Sequence, residues 1–584
     1  MSYQTSYDSG GCVPFKPNKD RGFWSSSSDF FYASVCNAFR MDVAFGVAAV
    51  PFLHSGGIYM LIAMIINVIL FSYPIVFMQS FLGQFSSTGF ISCFRVAPLF
   101  KGIGYISLAM NLFSLSFYAI FAAVPILYFL HSLQSMLPWG CEAWKLKNSS
   151  DSPYILSHCS EAYRNQTEDD ESYYRPMQIP SVYYFSEQFH SDFSFSLFGC
   201  VIVVWTAVAI VLCSTTEKIG QMLRYSSLTL FSLLIIVVLR MAFLPGAFEG
   251  LQKTVANHVE TDFDFHTCIF MAPMLTLATF GPGWGSILSM ASYNNFKTDI
   301  SKFSWLISFS QLGILVLYGF LCMFTESHLS YNKPNLIIPS HALQWGAFLM
   351  IPSSLATMQF PHLWTWMFLA VLIIGSFNLM LSQMFSILTA LFDEYEILRL
   401  YKVEVTFGAS GILALASAYF CTTNGIHFTE QISELSISTQ TILNLFLLIT
   451  VVWVYGRVRF QRDVEFMTSQ ILQTWKVYTV RFVTPFFLTV TFFIGFYLLL
   501  FNDQPYGNIT ESINFGVLFT WLSFFAVPVY CCFKLLQTNG SLTMRFKRCV
   551  KPTDWYPVEE EDRQRYEETI NNPETFQTLT NIVL

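Results

Sequence analysis

The chain has 584 residues, of which 53% are hydrophobic and 12% charged, with a net charge of -7. A charged fraction well below the ~25% of soluble domains excludes an ordinary water-soluble globule. Without a Lys/Arg-rich block it also lacks the basic footprint that nucleic acid requires, and disorder is confined to the ends.

The composition describes an all-α polytopic membrane protein. Apolar runs recur, each long enough to cross a bilayer core, which takes ~20 residues. About twelve spans are expected, near 30–52, 58–82, 102–135, 194–213, 224–245, 265–292, 303–325, 361–395, 403–421, 438–457, 480–501 and 513–536. Three regions follow: an N-terminal segment, 1–28; the twelve-span domain, 29–536, with a large loop at 136–192; and a tail, 537–584. Residues 1–28 are polar and Ser/Gly-rich, unlike a cleavable signal peptide, so the first span is expected to direct insertion.

Lys and Arg set orientation through their bias in short loops. Lys16, Lys19 and Arg21 precede span one, and Arg95 with Lys101 follow span two. Lys218, Arg224, Lys297, Lys302, Arg399, Lys402, Arg457, Arg459, Arg462, Arg545, Lys547 and Arg548 continue the pattern in alternate loops. Both termini are therefore expected in the cytoplasm, with the plasma membrane as the location. The 136–192 loop falls outside, where Asn148 and Asn165 lie in glycosylation sequons; Asn508 lies in a third, in the last outer loop. Cys141 and Cys159 share that oxidising loop and are candidates for a disulfide, against two free thiols.

Two spans carry residues that an intact membrane helix avoids. Phe280-Gly281-Pro282-Gly283-Trp284-Gly285 interrupts span six: Pro282 removes a donor and the glycines permit unwinding. Span one carries Arg40 and Asp42 at comparable depth, and ionisable groups there mark functional sites. Spans one and six are five apart, as inverted repeats with discontinuous first helices require. The competing reading is a Pro-kinked helix in a bundle, with Arg40 in a salt bridge to Asp42 or a neighbour.

These residues carry a resemblance. Arg240 to Gly250 resembles the LR-x-x-x-LPGA-x-x-G segment of the neurotransmitter:sodium symporter family, and Ala291 to Phe296 its SSYN-x-F. Thr279 to Gly285 resembles SLG-x-G-x-G, Asp393-Glu394-Tyr395 the end of span eight, and Trp453 to Gly456 with Phe460 and Asp463 the WFYG…F…D pattern. Leu137-Pro138-Trp139 with Cys141 and Cys159 resembles the family's outer-loop disulfide. The resemblance implies a secondary transporter of an amino acid or related small solute, working by alternating access in a lipid bilayer and not as an enzyme. It implies Tyr118 as the pocket tyrosine, substrate contacts at Arg40, Phe280, Gly281 and Gly283, and an inner gate of Arg21, Trp24 and Asp393.

The first span departs from the family pattern. Arg40 stands at the position that reads a substrate amine, Val43 replaces a sodium-ligating Asn, and Gly46 replaces the outer-gate Arg. Ala63 and Leu275 alter chloride-site positions. Sodium-site remnants are Cys36, Ala38, Phe39, Thr279, Gln311, Gly375 and Asn378. Hard cations want several oxygens, which Val and Leu side chains do not offer. A permanent guanidinium beside sodium would repel it by about 4 kcal/mol at ~4 Å and an effective dielectric of 20. Sodium is therefore hard to accommodate and chloride is not expected; no other cofactor or metal site is defined. Arg40 reads as a tethered substitute for the first sodium, directed at Asp42, at half-helix carbonyls or at a substrate carboxylate. The alternative function is a non-transporting receptor, chaperone or accessory subunit on the same scaffold.

The tail begins basic, at Arg545-Phe546-Lys547-Arg548, a composition suited to anionic lipid, and turns acidic at Glu559 to Asp562. Its last residues, Asn581-Ile582-Val583-Leu584, have the form of a carboxylate ligand for a cytoplasmic partner domain, against a free disordered end.

Overall fold

The computed structural model describes residues 21–42, 57–141, 143, 180–188, 193–249, 252, 265–330, 345–501, 525, 527–552 and 555–571. Val43 and Gly46, Cys159, Asn148, Asn165, Asn508 and 581–584 lie outside them. Among the described residues the chain is helical with no strand, and nine helices have the length and composition to cross a membrane.

These nine correspond to spans two to five and seven to eleven. Several are longer than their apolar runs. Span five begins at Thr216, before the Lys218 to Arg224 stretch, and span ten runs from Ser436 to Thr468, well past Trp453. Apolar runs report the part of a helix that meets hydrocarbon, whereas intrahelical hydrogen bonding continues into polar turns beyond it. A further apolar helical pair, Gly346–Leu349 and Ile351–Ala356, was not anticipated, because each run is too short to register as a span.

Three π-helical stretches, Val68–Ser72, Ile449–Gly456 and Thr479–Val483, interrupt spans two, ten and eleven. Span three packs against spans four and eight, span five against spans one and eight, and the two halves of span six against opposite halves of span two. The described part of span one and both halves of span six consequently lie against several other helices. Ser26 fixes the start of span one through a reciprocal capping box with Asp29, and Arg224 of span five pairs with the same carboxylate at 3.2 Å.

The tail is ordered in two pieces, Leu542–Val550 and Glu560–Asn571. Trp555 and Tyr566 are buried: Trp555 stacks on Phe85 of span two at 5.0 Å, and Tyr566 packs against Phe466 of span ten at 5.1 Å.

Candidate functional site

Span one is helical from Ser27 to Val35, tightens into a single 3-10 turn at Cys36–Ala38, and loses helical geometry at Phe39 and Arg40. Span six is helical over Phe265–Ala278 and again over Ser286–Ala291, with an extended break between. Gly281 (φ 101°) and Gly285 (φ 84°) adopt the left-handed conformation that L side chains rarely reach.

A break at membrane depth bares carbonyls that must find donors within the protein. Arg40 Nη1 donates to the Gly281 carbonyl at 3.1 Å, and Gln440 Nε2 donates to the same oxygen. Ser114 Oγ donates to Pro282 O at 2.9 Å, Gln440 Nε2 to Gly283 O at 2.9 Å, and Asn111 Nδ2 to Trp284 O at 2.8 Å. Each carbonyl from Gly281 to Trp284 thus receives a side-chain donor from spans one, three or ten. On span one, the Met41 amide donates to the Tyr118 hydroxyl at 3.3 Å.

The glycines admit these donors. A Cβ on Gly283 would fall 1.7 Å from Asn111 Oδ1, and one on Gly281 would fall 2.2 Å from Gln383 Nε2. Gln383 Nε2 in turn donates to Asn37 Oδ1 at 3.0 Å, and Asn37 Nδ2 to Ser286 Oγ at 3.1 Å, joining spans eight, one and six. Because the amide nitrogens are directed at acceptors, the oxygens are held on the other side. Asn111 Oδ1, Gln383 Oε1 and Gln440 Oε1 are buried and accept no hydrogen bond from the described residues.

Arg40 and Asp42 are both fully buried. Arg40 Nε donates to Asp42 Oδ1 at 3.0 Å and Nη2 to Asp42 Oδ2 at 2.8 Å, a bidentate pair, and Nη2 also reaches Ser436 Oγ at 3.2 Å. The salt bridge of the competing reading therefore forms, but it forms where span one loses its helix, with the guanidinium touching the break in span six instead of a Pro-kinked helix.

Among the residues expected as sodium-site remnants, Thr279 Oγ1 donates to Thr276 O at 2.7 Å, and Gln311 Nε2 donates to Thr279 O at 3.3 Å. Asn378 Oδ1 accepts from Ser226 Oγ of span five at 2.9 Å, while the Cys36 thiol lies 3.0 Å from Ser227 Oγ. A Cβ on Gly375 would meet the Phe39 carbonyl at 3.7 Å, so these two backbones are adjacent. Ala38 and Phe280 are buried beside the breaks.

The three residues expected at one gate come together at the far end of span one. Arg21 Nη2 and Asp393 Oδ2 are 3.1 Å apart, with Arg21 Nη1 donating to Ser292 O at 2.7 Å. The Arg21 guanidinium lies over the Tyr293 ring at 4.2 Å, and Trp24 Nε1 donates to Met290 O at 2.8 Å. Arg399 adds a second ion pair to Asp393 at 2.7 Å, and the Gly89 amide donates to the same carboxylate at 2.8 Å.

Residue reading of the sequence missed Asn111, Ser114, Gln383, Gln440 and Arg399. The first four sit in apolar spans, so intramembrane amides and hydroxyls were the available signal.

The family model for the sodium:neurotransmitter symporter family matches residues 21–538. The chain belongs to that family. Similar curated proteins include the human sodium- and chloride-dependent neutral and basic amino acid transporter B(0+), 25% identical over 95% of this chain and 92% of that protein. The Xenopus laevis sodium- and chloride-dependent glycine transporter 1 is 26% identical, over 95% of this chain and 92% of its own length. Glycine transporter 2 of the same organism is 24% identical, over 95% of this chain and 74% of its own. For this member of the symporter family, Arg40 occupies the meeting point of the two broken spans with its charge already matched.

Proposed function

We propose that this symporter-family chain is a secondary-active transporter of an amino acid or related small solute, with altered sodium coupling and no chloride site. The observation that carries the reading is the buried Arg40 guanidinium, held by Asp42 and Gly281 O between two broken helices. It supplies from within the chain a cation that the names of the curated relatives attribute to sodium. The donor set agrees: Thr279 and Gln311 spend their hydrogens on carbonyls, and Val43 brings no oxygen. The unsatisfied amide oxygens of Asn111, Gln383 and Gln440 are acceptors for the N–H or O–H groups of a polar solute.

In this reading spans 1–5 and 6–10 are inverted repeats that rock about the midplane. Arg21, Trp24 and Asp393 form the inner gate. Both termini are cytoplasmic, and the protein resides in the plasma membrane, as the loop bias of Lys and Arg supports. The outer loop is glycosylated at Asn148 and Asn165, as is the last outer loop at Asn508. Cys141 pairs with Cys159; the disulfide-bonded state of Cys141 supports this.

A second reading, a non-transporting scaffold, is favoured by the self-sufficiency of the Arg40 and Asp42 pair. Uptake of a labelled amino-acid mixture into proteoliposomes, with and without a sodium gradient, separates the two. Accumulation that responds weakly to sodium is expected; no accumulation under any gradient overturns the transporter reading.

A further inference from the structure

A second cluster of cations lies away from the broken helices. Span ten leaves its apolar run through Trp453 and Tyr455 and turns at Gly456, whose φ of 106° a residue with a Cβ would rarely adopt. Immediately beyond come Arg457 and Arg459. These line a cavity of about 480 Å³, and its opposite wall is the tail helix, through Phe546, Lys547, Val550 and Lys551. Four cations from segments about ninety positions apart converge on one space, and among the described residues no carboxylate lines it.

The tail helix divides its basic residues between two tasks. Arg545 donates to the carbonyl of Gly540 at 2.6 Å, and Arg548 to that of Asn539 at 3.2 Å, so both close the turn before the helix. Lys547 and Lys551 have no such partner among the described residues and line the cavity. Leu542 and Phe546 share one face of the helix, and both are exposed, as is Val458 across the cavity. Exposed apolar residues beside basic ones are the pattern of a helix lying at a membrane surface.

We propose that this cavity binds the polyanionic headgroup of a membrane phospholipid, with Arg457, Arg459, Lys547 and Lys551 around the phosphates and Phe546 and Val458 toward the acyl chains. A free phosphate would share the charged contacts but leave the apolar flank unexplained, so the occupant is the lipid. The volume falls within the ~300–1,000 Å³ of ligand sites, and four cations exceed what one singly charged headgroup would engage. The site depends on neither the transported solute nor sodium coupling, and therefore stands or falls separately from them.

The test uses the full chain in phosphatidylcholine nanodiscs doped with phosphatidylinositol bisphosphate, with retained lipid read by native mass spectrometry. Lys547→Gln with Lys551→Gln is expected to lower retention by about twenty-fivefold, since each surface charge contributes roughly fivefold. Lys547→Arg with Lys551→Arg preserves retention, and Arg545→Gln with Arg548→Gln changes it by less than about twofold, because those side chains serve the turn. Unaltered thermal unfolding of the glutamine variant excludes misfolding as the cause. Equal retention by all variants overturns the site. Full displacement of the lipid by soluble inositol trisphosphate at equal concentration overturns the lipid as occupant.

Discussion

Arg40 shows what one buried guanidinium can do where two helix breaks meet. Its charge is permanent, so it satisfies Asp42 and the Gly281 carbonyl without waiting for an ion. Removing it strands a buried carboxylate, which costs about 3–5 kcal/mol. Arg40→Ala should therefore lower the thermal midpoint of the purified protein sharply, while Arg40→Met with Asp42→Leu should lower it far less. Arg40→Gly with Val43→Asn restores oxygen and room while leaving Asp42 in place. In that variant sodium chloride, compared with choline chloride, should raise the unfolding midpoint and increase solute uptake; an unchanged response to sodium would count against the tethered-cation reading. At the proposed inner gate, Arg21 contacts Asp393, Ser292 and Tyr293 together. Arg21→Ala should therefore speed thiol labelling of the buried Cys36, with Cys36→Ser as the control. Labelling at the original rate would remove Arg21 from the gate.

At the scale of the element, the position of the break in span six was legible because Gly281, Pro282, Gly283 and Gly285 are incompatible with an unbroken helix. What closes that break was not legible. Ser114, Asn111 and Gln440 lie 157 or more positions from the carbonyls they serve, and nothing in local pattern links them. The same limit applies to Arg399, which reads as one more loop cation until the fold brings it to Asp393. Helix ends were misjudged for a different reason: hydropathy ends at the hydrocarbon boundary, but span ten continues to Thr468. The close approach at Gly283 can be tested directly. Gly283→Ala places a methyl 1.7 Å from Asn111 Oδ1, and overpacking of this kind costs about 1–3 kcal/mol. Asn111→Ala added to it should recover part of the stability, because the clash disappears while the Trp284 carbonyl loses its donor. Non-additivity of the two changes in thermal unfolding is the expected result; strict additivity would mean that the amide and the glycine do not meet.

For the molecule as a whole, the tail ties together parts of the bundle that sequence reading treats separately. Asp463, at the end of span ten, is fully buried and is reached by the hydroxyl of Tyr455 from its own helix. Two more donors come from the tail: Tyr566 OH at 2.7 Å and Trp555 Nε1 at 3.3 Å. The Trp555 ring stacks on Phe85, which ends span two beside Phe296 and so reaches the segment after span six. The tail therefore bridges spans two and ten, and its release should loosen that end of the bundle. Hydrogen bonds to a charged group contribute about 1.5–3 kcal/mol each, and truncating a buried Trp costs about 3–5 kcal/mol. Either loss suffices to undock a short tail from a bundle that remains folded. Trp555→Ala should accordingly speed tryptic cleavage at Arg563 and Arg565, with Tyr566→Phe giving a smaller acceleration in the same direction. Hydrogen exchange at the end of span two should rise in parallel for Trp555→Ala. Faster cleavage without faster exchange around Phe85 would show the tail to be a passenger on the bundle instead of a brace across it.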